Sequence, residues 1–487
     1  MKLLLVAPRW LRVYGSFRFI TKLLHFEPPL GLCYLASSCE KEGIHTDILD
    51  CEAQELKDED ILNYIKREKP DFVGITTTTP TIIEAKRIAR AVKENFKIPI
   101  IVGGPHATLV GKQVLDENPE FDFALTNDCE IRLPIFLKLL WDGKRIEDVG
   151  GLIFRRNGET IHTGVPKEDM EFDHIPFPAR EKLKIDRYKW FVPGVGERIA
   201  TTFQTSRGCP LRCIFCSERI LYPKVKLRSP ENVIQELKHI KKKHPEIGHI
   251  IFIDDTITLV PKRAFEIFKL MEEENLGFTF ECETVANRID EKLAQQMVRA
   301  GLKRINFGIE SGDPEILKMV QKGTNHDDIK RAYKIVKSLG VETRGSVIIG
   351  LPYENIKTIM KTVSFIYSLK DLDFAYINIA TPYPGTVLRD MVIEGKGGAK
   401  LYYSGYDMRR YGSAVIGVGR LKPSHLVMIQ KLAVVLFYSR ISRILNIVKS
   451  RGIKFSLQLL FGFILGNTLD ILNKFQKATK KGNKEGY

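Results

Sequence analysis

The chain lacks a secretory leader of the usual form: Met1-Lys2 runs straight into LLLVAP, without a basic start, a long apolar stretch and a cleavage site. It also lacks the paired cysteine framework of a secreted scaffold, because its 8 cysteines are scattered over 487 residues. A reducing, cytoplasmic setting is therefore expected. No apolar run is long enough to span a bilayer, which takes roughly 20 residues; FSLQLLFGFILG at 455–466 is the candidate, and it stops well short. Nor does acidic charge balance the basic: 75 Lys and Arg face 59 Asp and Glu, a formal charge of +16. That excess invites a nucleic-acid or anionic-membrane partner. Yet Lys-rich segments such as KHIKKKHPE (238–246) and KATKKGNK (477–484) suit a solvated surface, and no stable nucleic-acid partner is expected.

An apolar fraction of 44% with 28% charged residues describes a folded protein, and the length leaves room for about three domains. Residues 1–145 alternate strands (3–7, 46–50, 72–77, 98–103 and 121–126) with amphipathic helices near 31–42, 58–68, 82–95 and 133–141. This is the α/β pattern of a doubly wound, Rossmann-like parallel sheet, which binds ligands beyond the carboxyl ends of its strands. Residues 146–195, with a hairpin at GLIFRRNGETIHTG and Pro166, Pro176, Pro178 and Pro193 along an irregular path, read as a linker. From 196 to 390 six strand–helix units follow, with strands at 200–205, 248–253, 278–285, 303–309, 342–349 and 373–380. One long helical stretch is expected at 313–338. Residues 391–487 read as a mostly helical region.

The sharpest motif is TSRGCPLRCIFCS at 205–217, where Cys209, Cys213 and Cys216 stand in the spacing C-x3-C-x2-C. Thiolates are the soft ligands of iron–sulfur clusters, and three of them leave one iron of a cubane open for chemistry. A structural zinc site is the alternative, but zinc wants a fourth Cys or His and none follows within twenty residues. Cys33, Cys39, Cys51, Cys129 and Cys282 are expected to be buried apolar side chains, though any could bind a second cluster.

The cysteine loop resembles the signature of the radical S-adenosylmethionine (SAM) superfamily, including the aromatic Phe215 before the third cysteine. The resemblance implies a partial (β/α)6 barrel and a [4Fe-4S] cluster on Cys209, Cys213 and Cys216. It also implies SAM on the open iron, split by one electron to a 5′-deoxyadenosyl radical. Residues 1–145 resemble the cobalamin-binding domain of the cobalamin-dependent, class B methyltransferase-like branch. The match is carried by EPPLGLCYLASSCEKEG (27–43), PDFVGITTTTPT (70–81), VGGPHAT (102–108) and NDCE (127–130). It implies a cobalamin site on Pro8, Thr77, Thr78, Gly103, Gly104, His106 and Glu130. The D-x-H-x-x-G motif that supplies a lower cobalt ligand in methionine synthase-like domains does not occur. This fits cobalamin held without that ligand, and equally a domain that has lost the cofactor. For His106 the alternative is a ring that simply caps a turn.

In the barrel half, FIDDTIT (252–258), FGIESG (307–312) and GSVIIGLPYE (345–354) match the superfamily. They imply SAM contacts from Phe215, Asp255, Glu310, Ser311, Ser346 and Ile348. Asp254 and Asp255 could instead bind Mg²⁺ or cap a helix, and Tyr376 and Tyr383 are wall residues or hydrogen donors. The expected activity is hydrogen abstraction from an unactivated carbon, followed by cobalamin-dependent C-methylation of an apolar or lipid-like substrate. Cobalamin-independent cyclisation, C–C coupling or oxidation, and RNA modification, are the alternatives. The resemblance also implies an electron donor such as a ferredoxin or flavodoxin. The basic, apolar segment 425–473 is either a cap on the barrel's open side or a peripheral membrane contact.

Overall fold

The computed structural model describes residues 1–10, 26–166, 171–404, 413–448 and 451–452. The aromatic segment at 406–412 and the apolar run at 455–466 lie outside the described residues. Alternating apolar residues in the amino-terminal half build a seven-stranded sheet in the order β2-β1-β3-β4-β5-β6-β7. Its strands are β1 (Lys2–Ala7), β2 (His45–Asp50), β3 (Phe72–Thr76), β4 (Ile100–Gly103), β5 (Phe123–Leu125), β6 (Leu152–Arg156) and β7 (Glu159–His162). The first five are parallel, and helices α1 (Leu30–Lys41), α2 (Asp58–Glu68), α3 (Ile82–Asn95) and α4 (Arg132–Trp141) connect or follow them. The hairpin β6–β7 pairs antiparallel with β5 and extends this sheet, where the sequence suggested a linker. Its apolar Leu152, Ile153 and Phe154 find their burial against the β5 edge.

The second sheet has the order β16-β15-β14-β13-β12-β9-β8. A short antiparallel edge strand, β8 (Lys189–Val192), pairs with β9 (Gly196–Phe203). The pair β10 (Ser206–Arg207) and β11 (Lys226–Leu227) closes the cysteine loop between them. The remaining parallel strands are β12 (Ile247–Phe252), β13 (Thr279–Thr284), β14 (Leu302–Glu310), β15 (Glu342–Ile349) and β16 (Phe374–Ile379). Outside them run α5 (Pro230–Lys243), α6 (Pro261–Glu274), α7 (Glu291–Arg299), α8 (Pro314–Met319), α9 (His326–Ser338) and α10 (Ile356–Ser368). Proline at the first turn opens α5, α6 and α8, where its missing N–H costs nothing. The expected long helix at 313–338 is two helices, α8 and α9, broken where Gln321 and Gly323 adopt φ +61° and +76°.

Side chains alternate across this curved sheet. On β14, Ile305, Phe307 and Ile309 are fully buried under the helices, while Arg304, Asn306, Gly308 and Glu310 line the inside. The outer layer joins one apolar core that continues through Ala179, Leu183, Ile185 and Tyr188 of the bridge to α1 and α4 of the first sheet. Two parallel sheets thus share a core and point the carboxyl ends of their strands at a common space. After α11 (Val387–Ile393) and the antiparallel pair β17 (Ala399–Leu401) and β18 (Ile416–Val418), α12 (Pro423–Tyr438) packs along β16 at the open side. No helix among the described residues is long and apolar enough to cross a membrane.

Candidate active site

A cavity of about 870 Å³ occupies the space between the sheets. From the first sheet it is lined by Pro8, Asp50, Thr76 and Thr78, and by the Phe26–Pro29 segment before α1. From the barrel come Cys209, Cys213, Cys216, Phe215, Asp255, Glu310, Ser346 and Ile348. A second cavity of about 300 Å³ runs between α1 and the ends of β1, β3, β4 and β5, lined by Gly103, Gly104 and Glu130 among others. Thr76 and Pro29 line both cavities.

The cysteine loop is anchored from below. Asp254, buried at the end of β12, accepts hydrogen bonds from Thr205 N (3.0 Å), Thr205 Oγ1 (2.7 Å) and Ser206 Oγ. This fixes the residues just before the loop, and leaves Asp255 as the member of the pair that faces the cavity. The three cysteines are partly exposed to it and unpaired, whereas Cys33, Cys39, Cys51, Cys129 and Cys282 are all buried. Burial pushes the Cys213 thiol up to about 11 and that of Cys216 to about 12. Only a cation at the site turns such thiols into ligands, so loading releases protons. The Glu218 N–H lies 3.5 Å from Cys216 Sγ, a donor that stabilises a thiolate, and Thr256 Oγ1, whose proton goes to Asp255 O at 2.6 Å, lies 3.9 Å from Cys209 Sγ. Among the described residues no three donors converge on a single metal ion. In a cubane each cysteine binds a different iron.

Beside the cysteines, β14 ends at Glu310, whose φ of +62° turns the chain and whose carboxylate pairs with Lys322. Lys322 comes from the break between α8 and α9 and lines the cavity. Sequence reasoning missed it, because its place depends on that break. Burial opposes its charge, but the neighbouring Glu310 carboxylate raises its affinity for the proton above that of an ordinary lysine. A carboxylate and an ammonium side by side match the amino and carboxylate ends of an amino acid. Phe215, Ser346 and Ile348 supply an adjoining wall. Ser311 stands apart from this wall: fully buried, its hydroxyl contacts Thr362 Oγ1 (3.2 Å) and accepts from Asp313 N, as part of the turn into α8.

The proposed cobalamin residues divide in the same way. Pro8 and Thr78 line the large cavity, and Gly103, Gly104 and Glu130 the smaller one. Thr77 is buried with its hydroxyl on Gly103 O (2.8 Å), and His106, 1% exposed, turns its Nδ1 to Thr79 Oγ1 (3.1 Å). Both line neither cavity, and they tie the turn between β3 and α3 to the residues that follow β4. Gly104 has φ +99°, and a Cβ there would sit 2.9 Å from Thr77 O, so the glycine answers a backbone demand. Glu130 is occupied as well: Arg207 donates to it at 2.6 Å and to Asp128 at 2.9 Å. The guanidinium lies 4.5 Å from the Phe172 ring centroid and 5.1 Å from that of Tyr34. Among the described residues no histidine lines either cavity.

The geometry provides a cysteine loop for a cluster, a zwitterion-matching pair beside it, and a slot reaching into the first sheet for a large ligand's tail. The Radical SAM superfamily model matches residues 203–366, and the B12 binding domain model matches residues 19–134. An uncharacterized methyltransferase of Pyrococcus horikoshii is 35% identical over 370 residues, covering 75% of this chain and 78% of that protein. An anaerobic magnesium-protoporphyrin IX monomethyl ester cyclase of Rubrivivax gelatinosus is 29% identical over 366 residues, 73% of this chain and 65% of its own. In fold, the chain is similar to the radical SAM methyltransferase TsrM of Kitasatospora setae, solved with cobalamin and a [4Fe-4S] cluster. The TM-score is 0.68 at 16% identity, over 87% of this chain and 80% of that one.

Proposed function

The chain belongs to the cobalamin-binding branch of the radical SAM superfamily, enzymes that use a [4Fe-4S] cluster, SAM and cobalamin, and from this we propose that it methylates an unactivated carbon of a small molecule. The observation that carries the reading is the single cavity with the cluster cysteines on one wall and the strand ends of the cobalamin-type domain on the other. Cys209, Cys213 and Cys216 would hold the cluster, and Glu310 with Lys322 the amino-acid end of SAM. The slot at Gly103, Gly104 and Leu35, with Thr78 and Pro8 at its mouth, would receive the cobalamin. When bound, these groups supply a 5′-deoxyadenosyl radical to take the substrate hydrogen and a methyl group to replace it. One SAM leaves as methionine and 5′-deoxyadenosine, a second as S-adenosylhomocysteine, with electrons from a ferredoxin- or flavodoxin-type donor.

The protein's own work is placement and exclusion. Phe26, Pro28, Pro29, Leu211 and Val285 keep much of the chamber apolar, so that the radical meets the bound carbon and little else. The shared core holds both walls at one separation, which is the condition for abstraction and methyl delivery at the same carbon.

Anaerobic protein reconstituted with iron, sulfide and hydroxocobalamin is expected to carry about four irons and one corrin, and to release 5′-deoxyadenosine from SAM. Cys213→Ala is expected to lose the iron and the cleavage; cleavage at the normal rate by that variant would sink the assignment. Cleavage without corrin retention would favour cobalamin-independent ring closure, C–C coupling or oxidation instead.

A peripheral membrane contact is proposed on α12 and the helical segment at 441–448. Their inner faces pack on the barrel, while Leu432 (61% exposed), Val435, Ile441 (73%) and Leu445 leave an apolar stripe outside. Co-sedimentation with phosphatidylcholine–phosphatidylglycerol vesicles is expected for the full chain and weakened in Leu432→Glu. Equal sedimentation of the two would remove the stripe from the contact.

A further inference from the structure

The cysteine loop has two sides. Cys209, Leu211, Cys213, Phe215, Cys216 and Glu218 line the chamber. Between and beyond them Pro210, Arg212 and Arg219 are exposed yet line neither cavity, so they open on the outside of the molecule. Consecutive Cα atoms are about 3.8 Å apart, so Pro210, next to Cys209, and Arg212, next to Cys213, bring outer solvent within one residue of two cluster cysteines.

A second piece of chain is held along this outer side. Leu388 N donates to Ile214 O at 2.8 Å, and a Cβ on Gly385 would meet Ile220 Cδ1 at 2.8 Å, so residues 385–389 lie against the loop. They present Val387, 54% exposed, and the half-buried Arg389. On the other flank Ile214 N donates to Val320 O at 3.1 Å and fastens the loop to the end of α8. The resulting surface has an apolar middle, Pro210 and Val387, and three arginines around it. Among the described residues Arg212 and Arg219 have no hydrogen bond or ion pair, and Arg389 spends one N–H on Pro382 O at 3.3 Å. Asp390 is the exposed acid beside them, so positive charge prevails.

We infer that this surface docks the electron donor, an acidic protein carrying a one-electron centre, with Arg212 and Arg219 as its anchors. The inference rests on the radical reading proposed above, which needs one electron for each SAM cleaved. The donor loses that electron, the bound cluster gains it, and it ends on the sulfonium as the C–S bond breaks to methionine and the radical. A chamber of about 870 Å³ is far too small to admit a protein, so the donor must approach from outside. Electron transfer weakens steeply with distance, and the outer side of the loop is where a single residue separates solvent from a cysteine. Surface arginines are ordinarily just solvated; these two are unpaired, beside an apolar middle, and in the loop that carries the cluster ligands. Redox encounters bury less than about 1,200 Å², so a patch this small suffices. Complementary charge supplies the rate of encounter and the choice of partner.

The test is calorimetric titration of the cluster- and cobalamin-loaded protein with an acidic ferredoxin and an acidic flavodoxin, and with bulk transfer RNA as a polyanionic control. Saturable binding of at least one donor protein is expected, weaker as salt is raised from about 50 to about 300 mM. The double variant Arg212→Glu, Arg219→Glu is expected to weaken it about ten-fold or more. Lys242→Glu with Lys243→Glu reverses as much charge at the end of α5 that leads into β12, at the opposite end of the barrel, and is expected to leave it unchanged. As a second readout, the rate of SAM cleavage driven by the donor protein, divided by the rate driven by dithionite, is expected to fall by a similar factor in the arginine variant alone. Should that variant load less iron than the wild type, Arg219→Gln, farther from the cysteines, is expected to show the same loss in smaller measure. Binding of neither donor protein, transfer RNA bound in their place, equal affinity in wild type and arginine variants, or an equal loss in the lysine variant would each overturn the inference. Loss of the corrin with donor binding intact would remove the methyl-transfer reading alone, and dithionite-driven turnover without donor binding would remove this one alone.

Discussion

Glu27 shows how one side chain on the cavity wall can be costly to the fold. Burial and the charges of Glu281 and Glu283 raise its carboxyl to about 7, against an ordinary 4.5. A carboxyl that binds its proton more tightly when folded favours the native state at acid pH, and that advantage is lost as pH rises from about 4.5 to about 7. Glu27→Gln, which keeps the shape and removes the charge, is therefore expected to melt with the wild type at pH 4.5 and above it at pH 8. Thermal unfolding at the two pH values measures this directly, and a variant less stable at pH 8 would contradict it. Residues of this kind are the least legible in a sequence. Glu27 stands in a stretch that matches the family, EPPLGLCYLASSCEKEG, but its meaning comes from β13, more than two hundred residues away. Cys209, Cys213 and Cys216 are legible because their spacing is itself the chemistry. His106 misleads for the opposite reason: a histidine after Gly-Gly-Pro suggests a ligand, while packing turns the ring inward to Thr79.

Among the elements, the interruption between α8 and α9 matters most. The helical spacing across 313–338 is continuous enough to suggest one helix, and intrinsic propensity alone does not reveal the break. The structure breaks it at 320–325, where Gly323 takes φ +76° and Asn325 caps α9 by accepting from Asp327 N and Asp328 N. The break carries Lys322 off the outer surface and into the cavity beside Glu310. Gly323→Ala forces a side chain into the left-handed region and is expected to cost about 1 kcal/mol of stability. Lys322→Met, isosteric but uncharged, is expected to keep its iron and to bind SAM at least ten-fold more weakly, since it strands Glu310 unpaired. Equilibrium dialysis with SAM separates the two effects, and unchanged SAM affinity in Lys322→Met would detach the lysine from the site. Regular elements were easier to read: α2 and α3 begin and end where apolar periodicity places them, and β15 spans 342–349 as expected. The β6–β7 hairpin was legible as a hairpin, but not its place in the first sheet, because the sheet that receives it is a matter of tertiary packing.

For the molecule as a whole, the decisive quantity is the separation of the two walls of the cavity. Arg207, two residues before the first cluster cysteine, ties the cysteine loop to Asp128 and Glu130 at the end of the first sheet, and Lys226 adds a contact to Asp128 at 3.2 Å. The fork geometry matters: a guanidinium serves two carboxylates and two rings at once, which an ammonium cannot. Arg207→Lys is expected to retain the cluster and cleave SAM, yet to yield less methylated product per 5′-deoxyadenosine formed. A variant with that ratio unchanged would show that the latch does not set the spacing. The two-domain layout was visible in the sequence as two runs of alternating strands and helices, but the latch was not. Glu130 was assigned to a ligand, because nothing in NDCE announces an arginine seventy-seven residues downstream.

The Phe26–Pro29 segment, which belongs to the first domain and projects into the second, carries a consequence for inheritance. Domains that carry cofactors are usually pictured as interchangeable cassettes, swapped between enzymes without altering what those enzymes recognise. Here the first domain brings Phe26, Glu27, Pro28 and Pro29 into the wall of the shared chamber, so a chimera that takes its first 145 residues from a relative would import part of that relative's chamber wall together with its own sheet, and recombination within the family would reshape both in one event.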